Sequence, residues 1–173
     1  SGQKIPMRLR SMVGLIPLFA VGIVEQAVIN KRPELWRKIE MYRERRPDLV
    51  KLVSRWNELG SHGRRLFSLA HAFRMTKLLQ RMLDESEFLS PYGIRSLSKH
   101  HQGNPFFFGA RSVEYEPAEA ISKIKGGNSN WRGPVWMPVN TLIIRALLQY
   151  YSYYGDNFKI ECPTGSGNMM TLY

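Results

Sequence analysis

The stretch from Gly126 to Asn140 (Gly-Gly-Asn-Ser-Asn-Trp-Arg-Gly-Pro-Val-Trp-Met-Pro-Val-Asn) gathers the side chains best suited to chemistry. Trp131 and Trp136 offer flat apolar faces, and Asn128, Asn130 and Arg132 set hydrogen-bond donors beside them. A sugar ring asks for that pairing: its C–H face stacks on an aromatic while its hydroxyls take hydrogen bonds. The same residues also read as the start of a helix, with Asn130 or a neighbour as cap, Pro134 in the first turn and the tryptophans in the core. The residues by themselves admit both.

Upstream, Glu114, Glu116 and Glu119 alternate with Tyr115 and Pro117. Paired carboxylates are what glycoside hydrolysis uses, one as acid and one as base or nucleophile, but solvated loop charges have the same spacing. The run Asp84-Glu85-Ser86-Glu87 reads as a solvated helix end. Other chemistries find less support. His62, His71, His100 and His101 lack the context of a nucleophilic triad. The adjacent pair His100-His101 would point apart on a helix, and no metal is expected. Gly165-Ser-Gly167 lacks the lysine and preceding strand of a phosphate loop.

The elements that must position these residues read as helices. Apolar density predicts a largely buried helix over Met12 to Asn30, with Gly14, Pro17 and Gly22 tolerated or kinking it. Pro33 opens a second helix whose Leu35, Trp36, Ile39 and Tyr42 share a face. A third amphipathic pattern runs from Arg64 to Leu83, and a strongly apolar one from Pro134 to Tyr154 turns Val139, Leu142, Ile143, Ala146, Leu147, Tyr150 and Tyr151 inward. Asp84 to Ser98 and His100 to Gly109 read as long loops, with short extended segments over Val113 to Ile124. Convincing strand alternation is absent, so the predicted class is all-α with functional residues in the loops.

At 43% hydrophobic residues, the 173-residue chain can bury a sizeable core. The formal charge of +11 raises a nucleic-acid hypothesis, but the excess sits mainly between Lys31 and Arg81, where 14 Lys or Arg mix with 5 Asp or Glu. That reads as a solvated helical face without a recognition motif. Cys162 is the single cysteine, which fits a reducing, cytoplasmic compartment. The apolar run from Met12 to Val24 is too short to span a membrane.

The runs Ser90-Pro-Tyr-Gly-Ile-Arg-Ser-Leu-Ser98, Gly126 to Asn140, Tyr153-Tyr-Gly-Asp156 and Glu161-Cys-Pro-Thr-Gly-Ser-Gly167 occur together in this order. Together they resemble glycoside hydrolase family 63, the family of processing α-glucosidase I, nearest its cytoplasmic bacterial, archaeal and fungal branch. Arg10-Ser-Met-Val-Gly-Leu-Ile-Pro-Leu-Phe-Ala20, Arg46-Pro-Asp-Leu49 and Met82-Leu-Asp-Glu-Ser-Glu-Phe-Leu-Ser90 extend the resemblance over nearly the whole chain, in order.

The resemblance implies an (α/α)6 barrel, six helical hairpins in a ring with the active site among interhelical loops. It implies inverting hydrolysis of α-glycosidic bonds, as by a mannosyl-oligosaccharide glucosidase, without metal or organic cofactor. It also implies that residues 1–173 are one partial domain, the central portion of the barrel, cut at both ends. The catalytic carboxylates are then expected upstream of Ser1 and downstream of Tyr173. The sugar-contacting residues it implies are Trp131, Arg132, Gly133 and Trp136 in one loop and Tyr92 and Arg95 in another. Glu119 stands as a further binding residue, although Ala120 occupies a position where the family often has serine. The expected partners are an oligosaccharide or small α-glycoside and the remainder of the same barrel, with no nucleic acid and no membrane. A non-catalytic carbohydrate-binding or scaffold fragment is the alternative.

Overall fold

The computed structural model describes residues 6–51, 58–70, 72–116, 133 and 135–173. Along the chain, the strands and α-helices are β1 (Val21–Val24), α1 (Gln26–Lys31), α2 (Pro33–Arg45), α3 (Pro47–Val50), β2 (Arg65–Ser68), α4 (Ala72–Met82), β3 (Leu89–Ser90), β4 (Gly93–Ile94), β5 (Phe106–Phe108), β6 (Arg111–Val113), α5 (Met137–Tyr154), β7 (Lys159–Glu161) and β8 (Met169–Thr171). The described strands pair in four two-stranded antiparallel sheets, β1 with β2, β3 with β4, β5 with β6 and β7 with β8. Helices carry most of the core, but the fold is not purely helical as the sequence suggested.

The clearest departure is at the start. Met12–Phe19 is a 3-10 helix, followed by β1 and the short α1 in place of one long helix. A 3-10 helix has three residues per turn, so every third side chain lines up. Met12, Leu15 and Leu18 have that spacing and are all at most 2% exposed, while Val13 and Ile16 are half exposed. The β-branched run Val21, Ile23 and Val24 then pairs with Ser68, Leu66 and Arg65. That pairing also claims Arg65 to Ser68 from the helix expected to begin at Arg64.

α4 buries Met75, Leu79 and Met82, spaced four and three apart, on one face, and turns Phe73 outward. α5 does the same with Asn140, Ile143, Ala146, Tyr150 and Tyr153. Leu142, expected inward, is exposed, as are Ile144 and Leu148. α5 packs on the 3-10 helix, β1 and β2, and α4 packs on the 3-10 helix and β7. Between α5 and β2, the Tyr150 hydroxyl meets Ser68 Oγ at 2.6 Å, and burial pushes the phenol's pKa up. α2 forms as expected from Pro33, but none of its residues is fully buried. Its Trp36 ring lies 4.8 Å from the Arg65 guanidinium carbon, a cation–π contact.

α5 begins at Met137, with Pro138 and not Pro134 in its first turn. Proline suits that turn because its missing N–H would have had no intrahelical partner. Of the extended segments expected over Val113 to Ile124, Val113 closes β6, and residues 117–124 lie outside the described residues.

Candidate functional site

Three segments far apart in sequence are joined by backbone pairing. Ser11 bridges Leu97, and Arg95 bridges Val135. The Met12 amide donates to the Ser96 carbonyl (2.8 Å), the Ser98 amide to the Arg10 carbonyl (2.9 Å) and the Arg95 amide to the Phe88 carbonyl (2.8 Å). The Arg10-Ser-Met run, the Tyr92 to Ser98 run and the segment leading into α5 therefore share one small extended platform.

The β3–β4 hairpin projects from it. Ser90 and Gly93 pair across the turn, leaving Pro91 and Tyr92 at the tip. Ser90 Oγ donates to the Gly93 carbonyl (2.7 Å) and accepts from the Tyr92 amide (3.3 Å), which holds the turn. Tyr92 is 85% exposed. Asn140, in the first turn of α5 and buried, anchors the hairpin. Its Oδ1 accepts the Ile94 amide (2.7 Å), and its Nδ2 donates to the carbonyls of Ile94 (3.0 Å) and Trp136 (3.1 Å). Replacing Asn140 with leucine is expected to strand the Ile94 amide, at a cost of about 1–3 kcal/mol. Hydrogen exchange at Ile94 should then quicken about tenfold or more. An unchanged exchange rate would show that the anchor lies elsewhere.

Gly133 adopts φ +137°, and its amide donates to Ser96 Oγ (3.0 Å). A Cβ there would run into the Tyr115 ring. Arg95 is 8% exposed; its Nε donates to the Tyr115 hydroxyl (3.1 Å), and its Nη1 donates to the carbonyls of Glu85 (3.2 Å) and Leu89. Arg95 thus ties the Tyr115 hydroxyl to the hairpin, and its Nη2 has no hydrogen-bond partner among the described residues.

A recess of about 270 Å³ lies between these groups, lined by Ser90, Pro91, Tyr92, Arg95, Tyr115, Gly133 and Val135. Tyr92, Arg95 and Gly133, all expected at a sugar site, meet there. Trp136 does not line it; it occupies the cap position of α5, where its carbonyl receives the amides of Val139 and Asn140. Trp131, Arg132 and Glu119 lie outside the described residues. Tyr115, Asn140 and Ser96 are the contributors that sequence reasoning missed or left without a role. Tyr115 carried one signal, an aromatic between two glutamates.

The recess can offer one exposed aromatic ring, a second hydroxylated ring and a guanidinium edge. That suits it to contact a polyol; no described carboxylate lines it. Glu114 accepts the Gly103 amide (3.0 Å). Glu161 accepts the amides of Gly165 (2.8 Å) and Gly167, which hold its carboxyl below the usual carboxylate range. Asp84 caps Ser86, and Glu87 is a buried ion-pair member and not the solvated charge its sequence context suggested. His101 is also buried: its Nε2 accepts the Arg10 amide (3.0 Å) and its Nδ1 donates to the Asn104 carbonyl (3.0 Å). Among the described residues no three His, Cys, Asp or Glu side chains cluster as metal ligands.

Residues 65–162, which include every described residue of the recess, match the glycosyl hydrolase family 63 C-terminal domain. An uncharacterized protein of Saccharomyces cerevisiae, YMR196W, is 44% identical over 175 residues, covering 98% of this chain and 16% of that protein. A probable mannosyl-oligosaccharide glucosidase of Schizosaccharomyces pombe is 39% identical over 82 residues, covering 47% of this chain and 8% of that protein. The chain therefore spans less than a fifth of the length of either relative. No solved structure gives a significant match. With the matched span running from β2 through the recess to β7, the chain belongs to glycosyl hydrolase family 63.

Proposed function

We propose that the chain is the central portion of an (α/α)6 barrel in an inverting glycoside hydrolase acting on α-glycosidic bonds, and that it supplies sugar-binding loops. The observation that carries this reading is the meeting of Tyr92, Arg95 and Gly133 around one recess, on loops brought together from separate parts of the sequence. Exposed Leu142, Ile144 and Leu148 on α5 also support it, since a helix inside a larger barrel buries a second apolar face against its neighbours.

In this reading Tyr92 and Trp131 stack on sugar faces. Arg95 and Arg132 donate to hydroxyls, and Gly133 lets the backbone approach the ring. Trp136 sets the start of α5, and Glu119 adds an acceptor. The general acid and general base come from segments beyond these residues, about 6.5–9.5 Å apart so that a water fits between the base and the sugar. An oligosaccharide or small α-glycoside is the substrate. The proposed compartment is the cytoplasm, from the single cysteine. Among the described residues no helix is long and apolar enough to cross a membrane.

The test is NMR of the first product formed from an α-glucoside by the full-length protein. The β-anomer is expected, and retention of configuration would defeat the reading. In the same assay Trp131→Ala should raise KM by about tenfold, the loss of roughly 1.4 kcal/mol of stacking. Unchanged KM and kcat would remove Trp131 from the site. One observation favours a second reading, a carbohydrate-binding part without catalysis: the recess has no carboxylate among its described lining residues. Saturable sugar binding by a full-length protein that leaves α-glycosides intact would favour it.

A further inference from the structure

A second cleft, of about 490 Å³, shares no lining residue with the recess. It opens between residues 7–11, α4 and His100, with Leu78 and Phe88 on its apolar side and Arg8, Arg10 and Arg81 on its polar side. Among these three lining arginines, Arg10 and Arg81 share one ion-pairing acid, Glu87. Glu87, 7% exposed, takes the Arg10 guanidinium on Oε1 and the Ser98 hydroxyl on Oε2. Arg81 only grazes it, with Nε 3.8 Å from the same Oε1 and a side chain 55% exposed. Arg8 makes no ion pair among the described residues.

The wall therefore holds about two more positive charges than its acid balances. Around α2, by contrast, Arg43 pairs with Glu40 at 2.6 Å and Arg46 with Asp48 at 2.7 Å, each an accessible acid. Here the acid is sealed beneath Arg10, and the surplus guanidiniums border a concavity. Like charges lining one concavity repel, even where solvent partly screens them, and an anion seated there relieves that repulsion. Guanidinium forks match the planar oxygens of a carboxylate or phosphate. The volume falls in the range of small-molecule sites, and Leu78 and Phe88 can take the apolar face of a ring.

We infer that this cleft binds an oxyanion, a phosphate or carboxylate group borne by a small polar molecule or free in solution, through Arg8 and Arg81. The inference does not depend on which bond the protein cleaves. Calorimetric titration of the intact protein with inorganic phosphate, glucose 6-phosphate and glucose tests it. Saturable binding of both phosphates is expected, with at least about a tenfold loss in Arg8→Gln and in Arg81→Gln. Arg10 is left in place because it covers Glu87. Arg8→Gln alters an exposed side chain and so stands even if Arg81→Gln unfolds. Arg37→Gln, on α2, should change nothing. Glucose 6-phosphate binding about tenfold more tightly than phosphate marks an anion carried on a sugar, and equal affinities mark a free oxyanion; either supports the site. Absence of saturable phosphate binding overturns it. So does an equal loss in Arg37→Gln, which would mean diffuse attraction to a +11 chain.

Discussion

Gly133→Ala is expected to lower kcat/KM toward an α-glycoside by about a hundredfold, because it disturbs several parts of the recess together. At φ +137° an L residue is strained by roughly 1–3 kcal/mol before any contact is counted. The added methyl would also run into the Tyr115 ring and come within 3.3 Å of the Glu116 carbonyl. Moving Tyr115 withdraws its hydroxyl from Arg95 Nε, now 3.1 Å away, and moving Gly133 withdraws its amide from Ser96. Gly165→Ala separates the two effects. Gly165 also has positive φ, +88°, but open space around the missing Cβ, so the substitution should cost strain alone. Equal losses of activity in the two variants would show that the approach of Gly133 to Tyr115 is unimportant. Adding Tyr115→Ala to Gly133→Ala should recover stability by making room, though not activity, since the recess loses that ring.

What could be read from the sequence followed the length of each signal. α5 has eighteen residues and a buried face at helical spacing, so its period shows even though Leu142 lies outside that face. α2 was legible from Pro33 and its amphipathic spacing. Apolar density over Met12 to Phe19 suggests an α-helix because it does not itself distinguish a spacing of three from one of three and four; Pro17 and Gly14 are the clues to a 3-10 turn. The β3–β4 and β5–β6 hairpins have strands of two and three residues, too short for any alternation to register. For the candidate site, the resemblance points to Tyr92, Arg95 and Gly133 but not to their meeting place. That depends on bridges such as Ser11 to Leu97, between residues with no local relation. Tyr115 and Asn140 gain their roles only through such contacts.

Glu87 shows the same limit, and a large expected effect follows from its burial. In sequence it closes the acidic run Asp84-Glu85-Ser86-Glu87 and looks solvated. In the fold Arg10, 77 residues away, covers Oε1, while Ser98 donates to Oε2 and itself accepts the His100 amide (3.1 Å). The Glu87 carbonyl also receives the Lys99 amide (2.8 Å). One carboxylate thus connects the loop after α4 to the first segment and to the segment beyond β4, two of the parts that build the platform beside the recess. Removing the carboxylate takes the acceptor from the Arg10 guanidinium and the Ser98 hydroxyl; because the Arg10 side chain is 35% exposed and stays partly hydrated, the expected cost is about 1–3 kcal/mol. Glu87→Met is therefore expected to destabilise clearly more than a surface substitution, read as the shift in denaturation midpoint of the intact protein. Glu87→Gln should fall between Glu87→Met and the unmodified protein, because its amide oxygen can still accept from either Arg10 or Ser98. The double variant Arg10→Met with Glu87→Met should recover part of the loss, since no unmatched charge then remains beside the platform. If the double variant were as unstable as the sum of the two single variants, the ion pair would not be what couples these segments. If Glu87→Met were no worse than a surface substitution, within about 0.5 kcal/mol, the carboxylate would be solvated after all.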